Sequence, residues 1–365
     1  MKKYVKRVFT GMMSLAMIFS MAACGSGSGE TATSSEENKS ETTAVSAEST
    51  TATEGIPDTS NASVVLKMGH IQSEQDPWQL GAQKFADECA ILSNGDIRVE
   101  IYPNSTLGGD RDLAEGMQMG TVDMALIAGV LSNFDDSISI LEIPYLFRSS
   151  DEFEKVIYGD IGNKIADNVL NSSGIRILDW WERGPRLITS NKPINSVDDM
   201  KGLKIRIPEI SAMQSVFNAW GAAATTMAWS EVYSSLQQGV IEAEENPVPF
   251  FYSGSIYEVN KYIANTNHKY EYVTMSISDQ TYSKLTDDQK DILQKAAKAA
   301  TELENELVAE VTDKDLKDMV ENHGVTVTDP DTTGFIEKAD AVAPAYAESI
   351  GQKDLYEEIQ KALGR

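Results

Sequence analysis

Beyond residue 62 the apolar positions of the chain switch repeatedly between a period of two and a helical period. Residues 63–68, carrying Val64 and Val65, predict a strand. After Pro77 the residues Trp78, Ala82, Phe85, Cys89 and Leu92 recur at helical spacing. Asn94-Gly95 supplies a turn, Ile97, Val99 and Ile101 alternate with Arg98 and Glu100, and Pro103 closes that strand. A helix over 112–119 and a strand over 122–127 follow, then a helix opened by the capping pair Ser149 and Glu152, then a strand over 175–178. From Leu187 the pattern restarts: a strand at 187–189, a turn at Pro193, a strand over 203–207, and helices near 211–220 and 230–238. Strand and helix alternate throughout, so the fold class is α/β.

The folded part, about 300 residues, exceeds one ordinary core and predicts two lobes. Residues 271–278 read as a strand returning to the first lobe. That gives lobe I as 62–183 plus 272–311 and lobe II as 184–271 plus 312–365, joined by at least two crossings and able to close about a hinge. Thr286 and Gln289 cap a long helix whose stripe is Leu293, Ala296, Ala300, Leu303, Leu307 and Val311. Running to Val320 it reaches on the order of 50 Å, enough to brace both lobes. No internal repeat of about 20 to 50 residues is visible.

The first 61 residues follow different rules. Lys2, Lys3, Lys6 and Arg7 precede an uncharged apolar run over 8–23, and this arrangement predicts a cleaved signal peptide, residues 1–23. The run is shorter than the roughly 20 residues of a spanning helix and lacks basic flanks on its far side. Met21-Ala22-Ala23-Cys24-Gly25 resembles a bacterial lipobox, with Met21 departing from the usual Leu, which makes Cys24 the expected lipidation site. Residues 24–61 are mostly Ser, Thr, Ala, Glu and Gly, too polar to offset the entropy of ordering, and predict a flexible stalk. The expected location is outside the cytoplasm, tethered to the cell membrane, on a cell surface or in a periplasm. Cys89 is the sole other cysteine, so a lipidated Cys24 leaves no intrachain disulfide.

Removing the signal peptide takes four basic and no acidic residues, moving the formal charge from −25 to −29. Nucleic acid is excluded as a partner by that balance. The three histidines, His70, His268 and His323, show no metal-ligand spacing, and no phosphate loop or nucleophile elbow occurs. No cofactor, resident metal or catalytic set is expected. Asp329, Asp331, Gly334 and Asp340 imitate a calcium loop, but Pro330, Thr333 and the short Asp340 side chain weaken it, and a polar turn is the expectation.

The positive signal lies between Trp180 and Pro249. It comprises Gly184-Pro185-Arg186, Lys201-Gly202-Leu203-Lys204-Ile205-Arg206-Ile207-Pro208, Met227-Ala228-Trp229-Ser230-Glu231 and Glu245-Asn246-Pro247. With residues 102–110, Ile143-Pro144-Tyr145-Leu146-Phe147 and 257–268, these segments resemble the DctP family, the substrate-binding proteins of TRAP (tripartite ATP-independent periplasmic) transporters. The resemblance covers nearly the whole chain beyond residue 62. It implies a two-lobed periplasmic-binding-protein-like clamshell that captures a small carboxylate ligand and hands it to a TRAP membrane permease. Arg206 matches the arginine that clamps the ligand carboxylate, Arg186 the second arginine, and Asn246 an amide donor. A planar guanidinium suits that task because it offers two parallel donors and keeps its charge when buried.

Specificity is expected from Trp229 on the pocket wall, and from Glu209 and Asp110 as acceptors for hydroxyl groups, with His70 at the end of the first strand facing the cleft. Glu209 in the cleft would repel a second carboxylate and favour a sugar acid such as a uronate over a C4-dicarboxylate. Arg183 and Lys204 read as solvated or structural, and Glu231, Glu244 and Glu245 as helix-start or exposed charges. A ligand-binding sensor subunit with the same cleft is the alternative function; an enzyme on a related clamshell is disfavoured by the missing nucleophile and base.

Overall fold

The structure, a computed structural model, describes residues 55–365. The signal peptide, Cys24 and most of the expected stalk lie outside the described residues. The folded chain begins earlier than the composition predicts: residues 57 and 58 lie against the Asn94-Gly95 turn. A Cβ on Gly95, whose φ is +88°, would stand 2.4 Å from the Asp58 carbonyl oxygen.

The strands are β1 (Val64–Gly69), β2 (Ile97–Tyr102), β3 (Met124–Ile127), β4 (Ile175–Ser190), β5 (Lys204–Ile207), β6 (Ala223–Thr226), β7 (Ala243–Asn246), β8 (Tyr262–Ser278) and β9 (Thr326–Thr328). They form one sheet in the order β2-β1-β3-β8-β4-β7-β5-β6, with β9 added parallel to β8. The pairs β1–β2, β1–β3, β5–β6 and β5–β7 are parallel. The long β4 and β8 run antiparallel at the centre and belong to both halves.

Two short strands were expected at 175–178 and 187–189; both belong to the 16-residue β4. Likewise the strand expected at 271–278 is the end of a 17-residue β8. Turn-forming Gly184-Pro185 and the charged Glu182, Arg183 and Arg186 on either side break the apolar pattern. Yet pairing on both sides keeps the strand going through bulges between Ile177 and Asp179, Glu182 and Gly184, and Arg186 and Ile188. The lobe boundaries expected at 183/184, 271/272 and 311/312 therefore all fall inside continuous elements.

Alternate residues of β3 feed opposite faces. Met124 and Leu126 pack with Leu66, Met68, Trp78, Phe85, Leu293, Ala296 and Ala300, beneath the first half of the long helix. Leu187, Val232, Phe251 and Ile263 lie under its second half, packed with the helix's own Met319. Ala125 and Ile127 join the other face, where one apolar cluster runs from Leu113 through Ile205 and Phe217 to Ile359. The C-terminal segment, expected with lobe II, bonds to both sides. Trp220 Nε1 donates to the Phe335 carbonyl at 3.0 Å, whereas Lys164 pairs with Glu358 at 2.7 Å and Arg365 reaches the Leu146 carbonyl.

The long helix, Asp287–His323, has 37 residues and the expected Thr286–Gln289 cap. At 1.5 Å per residue it reaches about 55 Å. Its buried stripe departs from expectation after Ala300: Thr301, Glu304 and Val308 are buried, while Leu303, Leu307 and Val311 are half-exposed. The cause is polar. Glu304 turns inward to Arg183, which is wholly buried between it and Asp76, 3.3 Å from each, with its guanidinium over Trp78 and Phe250. Arg183 is thus structural.

Among the described residues no helix is long and apolar enough to cross a membrane. The carboxylates of the calcium-like loop go to separate partners: Asp329 accepts from Asn265, Asp331 from the Thr333 N–H, and Asp340 pairs with Arg148.

Candidate functional site

A cleft of about 380 Å³ opens where the loops after β2, β5 and β6 meet, lined among others by Asp110, Arg111, Arg206, Glu209 and Trp229. It deepens into a small recess lined by Asp110, Arg186, Arg206, Trp229, Asn246 and Phe250. Parallel strands place their C-terminal ends and following loops together, and such crevices are where α/β folds hold ligands.

Arg206 is the third residue of β5, a strand with neighbours on both sides, so its side chain is 4 % exposed. Its Nε and Nη2 both donate to the Met227 carbonyl, at 2.9 and 2.7 Å. That oxygen fixes the guanidinium plane. No carboxylate among the described residues forms a hydrogen bond or ion pair with Arg206. Burial pulls its pKa below the usual arginine range, opposed by the fields of Glu244 and Glu245.

Arg186, in mid-β4, is equally buried but fully engaged. Glu245 takes its Nε at 2.5 Å and Nη2 at 2.8 Å, the Glu245 carbonyl also accepts from Nη2, and Glu271 takes Nη1 at 2.5 Å. Against the cost of burial, these carboxylates hold its pKa above the usual arginine value. His268 extends the cluster, its Nε2 3.0 Å from Glu245 and its Nδ1 2.9 Å from the Thr266 hydroxyl. Burial would raise the Glu245 carboxyl, but Arg186 and His268 outweigh it and bring it down to about 2. Lys269 joins Glu271 to Glu142 on the same stretch of β8.

Glu244 and Glu245 were expected to be exposed or to start a helix; both are completely buried. They occupy β7, which lies between β4 and β5 and has no face turned to water. Burial pushes the Glu244 carboxyl up to about 7, with Arg206 opposing. Asn246 lines the recess and donates from Nδ2 to Glu244 at 2.8 Å. Trp229 lines both cleft and recess, its ring edge-on to Phe250 at 5.1 Å.

Asp110 also lines both, and its Oδ1 is sealed from solvent with no hydrogen-bond partner. Glu209 reaches the cleft but is claimed by Arg111, whose Nε and Nη2 donate to its two carboxylate oxygens at 3.0 and 2.7 Å. Arg111 was not singled out by the sequence, although it follows Asp110 directly. His70 is placed behind the cleft: it is fully buried, its Nε2 lies 2.9 Å from the Gln79 side chain, and it lines neither cavity. Glu231 is exposed at the outer rim.

The model of the DctP family, bacterial extracellular solute-binding protein family 7, matches residues 68–349. The chain belongs to that family. A solute-binding protein of Roseobacter denitrificans is 37 % identical over 288 residues, 79 % of this chain and 88 % of the relative. The sialic acid-binding periplasmic protein SiaP of Vibrio cholerae is 32 % identical over 293 residues, covering 80 % and 91 %. The crystal structure of a Roseobacter denitrificans TRAP periplasmic solute-binding protein with bound L-galactonate superposes with TM-score 0.78 at 36 % identity, covering 82 % of this chain and 99 % of that one. A Sulfurospirillum deleyianum TRAP protein with bound succinate gives 0.77 at 28 % identity, covering 82 % and 99 %. The DctP-family architecture here is the two-lobed α/β clamshell, with β4, β8 and the long helix crossing between the halves, and its function is extracytoplasmic solute binding for transport.

Proposed function

We propose that this DctP-family protein captures a polyhydroxylated monocarboxylate, an aldonate or uronate, and delivers it to a TRAP permease. The observation that carries this is Arg206: a buried guanidinium at the end of a cleft, oriented by a backbone carbonyl and, among the described residues, unpaired with any acidic side chain. A ligand carboxylate answers that charge without displacing an internal partner. Asn246 supports it from the recess wall. Arg186, held by Glu245 and Glu271, shapes the recess and is an indirect participant.

The size of the cleft lies within the roughly 300–1,000 Å³ usual for small-molecule sites. Beyond Arg206 its rim carries Asp110 and Glu231. Both suit hydroxyl groups better than a second carboxylate, and Trp229 offers an apolar wall to a carbon chain or ring. Repulsion of a second carboxylate, assigned by the sequence to Glu209, falls to Glu231 at the rim, because Arg111 neutralises Glu209. The relatives described above include both an L-galactonate and a succinate complex, so the choice between these ligand classes rests on this rim. Binding without turnover is the reading, supported by the binding-protein character of every relative described. Cys24 is the proposed lipid anchor, supported by the small residues before it and the polar stalk after it.

Isothermal titration of the chain lacking residues 1–23 with aldonates, uronates and C4-dicarboxylates tests the clamp. One-to-one binding of the sugar acids that weakens at least about a hundredfold in Arg206→Ala supports it. Binding of succinate and malate alone, or binding indifferent to the substitution, refutes it.

A further inference from the structure

Asp110 begins the helix Asp110–Met119, where the outer cleft narrows into the recess. The charged groups around it come from several elements. From β4, Arg186 lines the recess; from β5 comes Arg206; from β8, Glu271 acts on it; after β5 stands Glu209; after β6, Glu231; and on its own helix are Arg111 and Asp112.

Most of these are already satisfied by one another. Arg186 holds Glu271, Arg111 holds Glu209, and Asp112 accepts the Gly109 N–H. Glu231 is exposed to water. Deeper in the sheet Glu244 Oε1, beside Arg206, and Glu271 Oε1 are sealed without a hydrogen bond, but neither residue lines the cleft or the recess. What remains on the cavity wall, among the described residues, is one cation without an acidic partner, Arg206, and one sealed carboxyl oxygen without a hydrogen bond, Asp110 Oδ1.

A ligand carboxylate that takes Arg206 removes the cation that favours ionised Asp110 and adds a negative charge to the same cavity. Both changes favour the protonated carboxyl. We propose that ligand capture is coupled to the uptake of one proton by Asp110, whose neutral carboxyl then donates a hydrogen bond to the bound acid. The inference rests on the reading that Arg206 receives the ligand carboxylate. The proton comes from solvent and forms the O–H bond on Asp110; no other bond changes.

Asp110 as a whole is half-buried, but its Oδ1 is sealed, and this burial pushes the carboxyl up to about 7, Arg206 lowering and Glu271 raising it. Capture pushes it higher. The affinity is therefore steady below about pH 7 and falls above it, by up to about tenfold per pH unit until the bound-state value is reached. A dianion adds more charge to the same space, raises the bound-state value further and so carries the loss of affinity to higher pH.

The test is calorimetric titration with L-galactonate near pH 7.5, in phosphate and in Tris, which differ in ionisation enthalpy. The expected apparent enthalpy changes with buffer by an amount corresponding to a sizeable fraction of a proton taken up. Asp110→Asn keeps a measurable affinity, loses the buffer dependence and flattens the pH dependence. A wild-type enthalpy independent of buffer overturns the proposal, as does proton uptake that survives in Asp110→Asn and disappears in Glu244→Gln. Absence of binding across the whole acid panel overturns the carboxylate reading of the cleft and this inference with it; binding without proton uptake overturns this inference alone.

Discussion

Arg186 and Arg206 stand twenty positions apart in sequence, are equally buried, and differ in what they touch. Arg186 meets two carboxylates and a carbonyl; Arg206 meets a carbonyl alone. The first is an internal ion cluster whose charges cancel inside the protein, and the second a cation whose balancing charge must arrive from outside. Burial by itself therefore does not mark a binding arginine. The mark is burial in a cavity wall combined with the absence of an acidic partner.

Breaking Arg186 gives the largest effect expected. Arg186→Met leaves Glu245 buried without its arginine and Glu271 with Lys269 alone, and should cost about 3–5 kcal/mol of stability, read by denaturant melts. Arg206→Ala should instead spare the fold and remove affinity, about 3–5 kcal/mol by calorimetry. If the two variants lose stability equally, the contrast drawn here fails.

The pH dependence of stability sharpens the comparison. Glu245, held at about 2, contributes stability present above its ordinary value of 4.5 and lost as pH falls through about 2. Glu304, beside the third buried arginine, behaves oppositely: burial pushes it up to about 8 despite Arg183, so its ionisation removes stability as pH rises from 4.5 toward 8. Glu304→Gln should flatten that alkaline loss in thermal melts at several pH values. An unchanged slope would mean that the carboxyl stays ionised without cost.

The smallest effect is expected at the cleft mouth. Arg111→Gln or Glu209→Gln separates a bidentate but half-exposed pair worth up to about 1 kcal/mol, and the wild-type advantage should shrink in salt. Ligand dissociation rates measured at low and high ionic strength check it; equal rates in all four cases would leave the pair without a role in retention.

Much of this was legible in the sequence because local rules decided it. Asn94-Gly95, the Ser149 cap, the Thr286 cap and the alternation in β2 follow from turn chemistry and period, and each is found where expected. The family motifs brought Arg186, Arg206, Asn246, Trp229 and Asp110 to one recess. What escaped was set by neighbours distant in the chain. Glu244 and Glu245 look like surface charges until β7 is placed between β4 and β5. Glu209 looks like a ligand acceptor until Arg111, 98 residues earlier, is seen to hold it. His70 ends its strand as expected, yet its ring turns to Gln79. β4 looked like two strands because its centre carries Glu182, Arg183 and Arg186, whose partners lie on β7, β8 and the long helix.

The placement of β8 bears on when such a chain can fold. Met124 in β3 pairs with Ile277, and Ile175 at the start of β4 with Ser278. The central strand of the sheet therefore leaves the ribosome long after the strands it must join, and neither half can close its sheet before most of the chain exists. Long-range pairing of this kind is slow because loop closure precedes any gain in contacts. A polypeptide with this strand order therefore stays without its central pairing until most of it has been made, so the strand order acts as a timer that sets when either half can become compact.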